Sequence, residues 1–419
     1  MSAIPTQPYK GARDFYPEDM RLQRYLFDVM RSICERYGYE AYDAPILEPT
    51  DLYLQKGNQE IIKEQTYTFT DRGDRSVTMR TEMTPSVARL VAGRRQELGY
   101  PLRWYSIPQC WRYERMQRGR GREFYQLNVD LFGDGSIAAD VEIIRVADEI
   151  MRAYGANADM YDIRISSREL LRALLEEHGF ESSIEAKITQ ILDSYGKPSF
   201  EKKVADLDQD NQAKLKQLLT AMEGSDIHKS EAGQRLAETL AELQKLDIKV
   251  TLDPTITRGF DYYTGMVFEV FDTHPDNNRS MFGGGRYDNL LEAFGAEPLP
   301  TVGFGMGDHT LLYFLELHEL MPKCQSVTDA YVIAVGGDQV SAASQVADDL
   351  RVYNLNIALD TTGRKLEKCL KTADKKAIQF VLFVGEAEHN EGRYTLRNLS
   401  NGEEVKGSVD ELAQLLLNR

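Results

Sequence analysis

Residues 111–133 read WRYERMQRGRGREFYQLNVDLFG, and the rest of the chain is best understood outward from this stretch. Residues 102–114 and 124–132 carry strand-like patterning. A Gly- and Arg-rich connection joins them into a long-looped hairpin. Between residues 103 and 122, Arg103, Arg112, Arg115, Arg118, Arg120 and Arg122 face a single acid, Glu114. Arginines at a strand end and in a turn present planar cations that fork onto phosphate oxygens. Glu114 and Phe124 suit a base, one by hydrogen bonding and the other by stacking. The competing reading is an amphipathic hairpin with its arginines in solvent. No glycine loop followed by Lys and Ser/Thr is present, so an ordinary P-loop ATPase is unsupported.

Composition narrows the surroundings of this basic island. At 419 residues the chain suits two or three domains, and its 42% hydrophobic content is compatible with buried cores. The formal net charge of −16 argues against a sequence-indifferent nucleic-acid binder, whose affinity comes mainly from neutralising phosphates. No DNA partner is expected. An RNA partner stays open, because charge can be concentrated locally. No apolar run approaches a membrane span and no secretory leader is visible, so no membrane partner is expected. Cys34, Cys110, Cys324 and Cys369 are scattered without metal-ligand spacing. That pattern predicts a reducing cytoplasm, no disulfide framework and no zinc site.

Upstream of the hairpin, residues 20–37 have helical apolar spacing and stop at Gly38. Pro45 and Pro49 make the next segment extended. Strand-like SVTMR (76–80) leads to Thr84-Pro85, read as a threonine cap with proline at the first helical position. Downstream, a helix is expected over about 138–154, and a charged, wholly helical insertion over about 167–246. Strands return at 249–272. From about 328 the order β-α-β-α-β predicts a separate doubly wound α/β domain reaching 419.

Two further constellations stand out. In Arg258-Gly259-Phe260-Asp261-Tyr262-Tyr263-Thr264-Gly265, an Arg, an Asp and two Tyr fall within an otherwise β-branched strand run. Buried tyrosines alone are ordinary core residues. Charged groups rarely lie deep in a sheet unless paired or facing a ligand. In Gly283-Gly284-Gly285-Arg286-Tyr287-Asp288, three glycines permit close backbone approach, although such a run is often just a loop.

Together these segments resemble the class II aminoacyl-tRNA synthetases, and within them the histidyl-tRNA synthetases. RGFDYYTG and GGGRYD look like that family's two histidine signatures. WRYE…REF looks like class II motif 2, and the region ending at Pro45 like motif 1, which builds a dimer interface. KGARDFYPEDM, RTEMTPSVAR (80–89) and the C-terminal domain follow the family order, so the resemblance runs from about residue 8 to the end.

The resemblance implies an α+β catalytic domain over 1–325, an antiparallel sheet flanked by helices and interrupted by the helical insertion. A C-terminal doubly wound α/β domain over 328–419 would bind the anticodon. It implies histidine–tRNA ligase activity on histidine, ATP and tRNA(His), with Mg²⁺ accompanying ATP, in a homodimer. Arg112 would hold the α-phosphate and Arg120 the outer phosphates. Phe124 would stack on adenine while Glu114 reads its amino edge. Arg258 would bridge the histidine carboxylate and the α-phosphate. Glu82, Thr84 and Gln126 would hold the α-amino group. Asp130 and Tyr263 would grip the imidazole nitrogens, with Tyr287 alongside, and Arg115 and Gln117 would approach the tRNA acceptor end.

Activation needs no general base, because the carboxylate is already ionised near neutral pH. It needs in-line positioning and positive charge. Rejection of other amino acids by unpaired polar groups can reach on the order of 10⁴-fold without editing.

The chain departs from the family pattern twice. Asp130 stands where the family usually has Glu. Motif 3, usually Gly-x-Glu-Arg, reads Gly307-Asp308-His309-Thr310, which places Thr310 at the arginine that covers adenine and touches the γ-phosphate. Arg118, Arg122 and His309 are the candidates to take over part of its role. Other readings are a non-catalytic relative that regulates histidine biosynthesis or senses tRNA, a class II ligase for another amino acid, and a general α/β nucleotide-binding protein. Retention of Arg112, Arg120 and Arg258 argues against the first, and the two histidine signatures against the second.

Overall fold

The alternation in the sequence of residues 123–132 is realised as the central strand of a large sheet. The computed structural model describes residues 4–54, 65–192, 194–195, 199–222, 230–256, 262–277 and 279–418. It divides into two units, Met1–Asp14 with Phe27–Met321, and Phe15–Leu26 with Pro322–Arg419.

The strands of the first unit are β1 (Glu40–Ala41), β2 (Leu47–Pro49), β3 (Thr68–Thr70), β4 (Ser76–Met79), β5 (Leu102–Ser106) and β6 (Gln109–Trp111). They continue with β7 (Glu123–Phe132), β8 (Tyr161–Ser167), β9 (Val250–Leu252), β10 (Met266–Asp272), β11 (Ser280–Arg286) and β12 (Thr301–Gly307). The main sheet runs β1-β5-β7-β12-β11-β10-β8-β9, with β6 extending β7. Its outermost pairs, β1 with β5 and β8 with β9, are parallel, and the strands between are antiparallel. A separate small sheet has the order β2-β4-β3.

On β7, Leu127, Val129 and Leu131 are fully buried. Side chains alternate across a strand, so these turn away from Phe124, Gln126, Asn128 and Asp130. After helix α1 (Pro17–Arg36) and helix α2 (Thr84–Arg94), helix α3 (Ile137–Ala153) packs against β7 and β12 with Ile143, Ile144 and Ile150 wholly buried. Ser136 caps α3, its side chain accepting from the Ala139 amide at 3.3 Å, the usual way an orphan amide at a helix start is satisfied.

The reading of Thr84 as a cap needs correction. Met83 is the N-cap and makes no side-chain cap bond, so Thr84 is the first helical residue and Pro85 the second. Proline is tolerated there because amides of the first turn have no intrahelical partner.

The insertion is helical, as its sequence predicts, in α4 (Arg168–Glu177), α5 (Glu185–Leu192), α6 (Phe200–Ala205), α7 (Gln209–Met222) and α8 (Glu231–Lys245). Helix α8 packs on α3 and β8. Helix α9 (Asp308–Leu317) then follows β12 directly.

In the second unit the strands are β13 (Ala330–Ala334), β14 (Ile357–Leu359), β15 (Phe380–Val384), β16 (Tyr394–Asn398) and β17 (Glu404–Gly407), in the order β14-β13-β15-β16-β17. The first three are parallel, which requires crossover helices. Val332 and Leu382 pack among Val346, Leu350, Leu412 and Leu416 on one face, while Ile333 and Val381 pack with Cys369 and Ala373 on the other. This is the doubly wound arrangement, with an antiparallel hairpin β16–β17 added at one edge.

Candidate active site

Strand register lays out the site. Phe124, Gln126, Asn128 and Asp130 share one face of β7 and line a cavity of about 1400 Å³. Opposite them on β12 stand Gly307, Gly305 and Gly303, paired with Gln126, Asn128 and Asp130 respectively. Gly283 and Gly285 of β11 pair in turn with Gly305 and Gly303.

The glycines are there for space. A Cβ on Gly303 would lie 2.5 Å from the Tyr287 hydroxyl and 2.7 Å from Asp130 Oδ1. One on Gly305 would lie 2.5 Å from Gln126 Nε2. The run Gly283–Gly285 is thus part of a buried strand rather than a loop.

At one end of the cavity the Tyr287 hydroxyl donates to Asp130 Oδ1, and the Tyr42 hydroxyl donates to Oδ2 at 3.3 Å. Burial pushes the Asp130 carboxyl up to about 6, against the opposing pull of these two phenols. Asp130 is therefore mainly ionised at neutral pH. Beside it, Tyr262 donates to Glu82 Oε2 at 3.3 Å, and the Tyr263 ring lies tilted against that of Tyr262 with centroids 4.8 Å apart. Gln126 Nε2 donates to Asn128 Oδ1 at 2.9 Å. Thr84, at the start of α2, completes this wall.

The other end is cationic. The Arg112 guanidinium lies 5.2 Å from the centroid of the Phe124 ring and donates from Nε to the Thr81 carbonyl at 2.9 Å. Arg112 and Arg120 share Glu114, at 3.8 and 3.7 Å. The turn carrying Arg120 closes through Gly119, whose φ of +74° is the left-handed region where glycine has no steric penalty.

This wall is braced from three parts of the sequence. Asp308 accepts from the Tyr125 amide at 3.0 Å and from Arg13 Nη2 at 2.8 Å. The Arg13 amide donates to Glu123 Oε2 at 3.1 Å. His309 Nε2 lies 3.0 Å from the Glu123 carbonyl, and the Thr310 hydroxyl donates to the Met281 carbonyl at 2.9 Å.

The structure thus gathers Glu82, Thr84, Arg112, Glu114, Arg120, Phe124, Gln126, Asp130, Tyr263 and Tyr287 around one cavity. Arg115 and Gln117 sit exposed on the turn and do not line it. Arg258 lies outside the described residues. Tyr262 and Tyr263 precede β10 instead of standing on a strand, contrary to the sequence expectation, because the ladder with β8 begins only at Met266.

Of the candidates to replace a motif 3 arginine, Arg122 turns away from the cavity. Its guanidinium is 3.8 Å from the Tyr113 ring centroid. His309 lines the cavity but is tethered to the backbone, and Arg118 lines it with its guanidinium near the Tyr313 ring.

Tyr42 and Asn128 escaped the sequence reading of the site, and Tyr262 stood in a recognised segment but was given no role. Asn128 was legible, since it falls on the same alternation as Gln126 and Asp130. Tyr42 carries no local signal; it reaches Asp130 only through the fold.

Arg286 of the glycine segment serves a different purpose. Its Nε and Nη2 donate to Asp140 Oδ1 at 2.9 and 2.6 Å, and Arg235 of α8 donates to Oδ2 at 2.8 Å. It ties the β11 edge of the cavity to α3 and to the insertion.

The family model described as histidyl-tRNA synthetase matches residues 11–311, and one described as an anticodon binding domain matches residues 329–419. The chain is 40% identical over 427 residues to a histidine–tRNA ligase of Leptospira biflexa, covering 98% of this chain and 97% of the relative. It is 36% identical over 418 residues to a histidine–tRNA ligase of Haloarcula marismortui, covering 94% of each. Among solved structures it resembles the histidyl-tRNA synthetase from Nostoc sp. PCC 7120, with a TM-score of 0.80 at 24% identity over 99% of this chain and 100% of that one.

Proposed function

The chain belongs to the histidyl-tRNA synthetase family, and from that premise we propose how its cavity performs the reaction. The activity is histidine–tRNA ligation. ATP activates histidine to histidyl-adenylate, and the histidyl group then passes to the 3′-terminal adenosine of tRNA(His). One observation carries the assignment of the site. The β7 register sets an adenine-sized aromatic, two amides and a carboxylate in a row beside a glycine floor, in one cavity with Arg112.

In this reading the imidazole enters at the Asp130 end. Neutral imidazole offers one donor and one acceptor. The ionised Asp130 takes the N–H, and its remaining lone pairs suffice because a carboxylate has about four acceptor positions and the two phenols occupy two. The Tyr263 hydroxyl donates to the other ring nitrogen, with Tyr287 fixing Asp130. Glu82, held by Tyr262, receives the ammonium group together with Thr84 and Gln126.

Adenine stacks on Phe124, with Glu114 at its amino edge. Arg112 neutralises the α-phosphate and Arg120 the outer phosphates. A histidine carboxylate oxygen attacks the α-phosphorus in line, the bond to the β-phosphate oxygen breaks, and pyrophosphate leaves with the electron pair. Arg258 is assigned to the meeting point of carboxylate and α-phosphate by its place in RGFDYYTG. Pre-organised cations need no rearrangement as charge moves, which is why such sites lower barriers.

Mg²⁺ bound with ATP would be held by the phosphates and would supply further neutralising charge beside Arg112 and Arg120.

For the second step, Arg115 and Gln117 receive the tRNA acceptor end, an assignment supported by their exposure on the turn beside the cavity. Residues 1–325 form the catalytic part, and 328–419 bind the anticodon in the cytoplasm. Dimerisation through the motif 1 region is supported by the exposed Ile46, Leu47 and Phe69 around the small sheet. Sedimentation showing twice the 47.7 kDa chain mass would bear this out, and a monomer at micromolar concentration would remove it.

Histidine-dependent ATP–pyrophosphate exchange tests the assignment of activity. Exchange with histidine alone is the expected result. Measurable histidine binding without exchange would point to a non-catalytic relative, and exchange with another amino acid would overturn the pocket assignment.

A further inference from the structure

The cavity holds more positive charge than the roles above use. Among the described residues its arginines are Arg112, Arg118, Arg120, Arg164 and Arg279. Arg112 and Arg120 share Glu114, and Arg164 is paired with Asp162 at 2.8 Å and Asp253 at 3.4 Å. For Arg118 and Arg279, no carboxylate among the described residues lies within ion-pair distance. Arg118 sits 6.0 Å from the centroid of the Tyr313 ring, and Arg279 Nη1 donates to Gln117 Oε1 at 3.4 Å.

These two arginines come from different elements yet flank one point, Thr310. The Thr310 hydroxyl is spent on the carbonyls of Met281 and Gly307, at 2.9 and 3.1 Å. Met281 follows Arg279 by two residues, and both line the cavity. On the other side, a Cβ built on Gly119, next to Arg118, would lie 3.8 Å from Thr310 Cγ2. Tyr313, under Arg118, is one turn along α9 from Thr310. The neutral Thr310 thus shares the cavity wall with two guanidinium groups that have no ion-pair partner among the described residues.

Resting on the ATP-site reading above, we propose that Arg279 and Arg118 together grip the terminal phosphates of the nucleotide. Arg279 supplies, from the start of β11, a cation that the first turn of α9 lacks. Unpaired cations in a concave wall concentrate anions, and the guanidinium fork matches phosphate oxygens. The competing ligand for such cations is a tRNA phosphate. The cavity position favours the nucleotide, because Arg115, from the same turn as Arg118, lies off the cavity while Arg118 and Arg279 line it.

Calorimetric titration of the full chain with MgATP and with AMP, in the absence of tRNA, tests this directly. Arg279→Ala and Arg118→Ala should each weaken MgATP roughly ten- to hundredfold, the span for losing a charge-assisted contact. AMP, which lacks the outer phosphates, and histidine should bind as in the parent, and Arg279→Lys should recover part of the loss. Unchanged MgATP affinity in both variants overturns the proposal, as does equal weakening of AMP. Unchanged MgATP affinity with a raised KM for tRNA in charging also overturns it, and assigns the pair to the acceptor strand. The parent's histidine-dependent exchange keeps this test separate from the ligase reading: its absence sinks that reading, whereas its presence with unaltered variants sinks only the phosphate grip.

Discussion

Asp130 joins recognition to stability in one side chain. Its carboxyl is pushed up to about 6 by burial, so the ionised form is disfavoured in the folded protein relative to the unfolded chain. A raised pKa favours folding fully below the ordinary carboxylate range, near pH 4, and that contribution is lost as pH rises through about 6. Above pH 7 the ionised Asp130 therefore costs the empty protein about 3 kcal/mol. Asp130→Asn should melt higher than the parent near pH 8, with the advantage vanishing by about pH 4, while histidine affinity falls at least tenfold. A variant equally destabilised at both pH values would show that the carboxylate is not under strain from burial. The two phenols of Tyr42 and Tyr287 are what hold the residue in place.

At the scale of elements, much was legible and the failures have physical reasons. The hairpin around 111–133 and the row Phe124, Gln126, Asp130 follow from period-two alternation, which local sequence carries in full. Tyr42 belongs to a segment whose meaning comes from the parallel pairing of β1 with β5, a register no nearby residue encodes. Gly283–Gly285 reads as a loop from composition, because its strand identity depends on neighbours contributed by β10 and β12.

Arg286 illustrates the same limit. It stands in a ligand-like motif, yet it pairs with Asp140, whose side chain has no exposure at all. Removing one partner of a buried pair leaves the other uncompensated. Arg286→Met should therefore lower unfolding stability by about 3–5 kcal/mol, read from urea midpoints, since Arg235 alone is left to meet Asp140. A loss below about 1 kcal/mol would show that Arg235 suffices.

For the whole molecule, two activities should separate by where each is housed. Activation is assigned to the cavity of the first unit, and discrimination of tRNA to residues 328–419. Changing the anticodon of tRNA(His) transcripts should thus lower charging efficiency at least tenfold while histidine-dependent pyrophosphate exchange stays unchanged. Equal charging of altered and unaltered transcripts would remove anticodon recognition from the C-terminal domain. The doubly wound order of that domain was readable from its alternating elements. Its terminal hairpin also had a local signal, Asn401-Gly402 with Gly402 at φ +77°, which the alternation of strands and helices alone does not bring out.

The floor of the pocket has a practical corollary for anyone wishing to load histidine analogues. Gly303, Gly305, Gly283 and Gly285 have already been reduced to bare main chain, so nothing further can be trimmed from beneath the ring. Room for a bulkier analogue has to be cut from the rim, at Tyr263, Tyr287 or Gln126, and at Tyr287 each such cut also loosens Asp130. Redesign toward larger substrates is thereby coupled to loss of imidazole grip, and redesign toward smaller ones finds no room for a methyl group at Gly303, where a Cβ would lie 2.5 Å from the Val129 carbonyl oxygen.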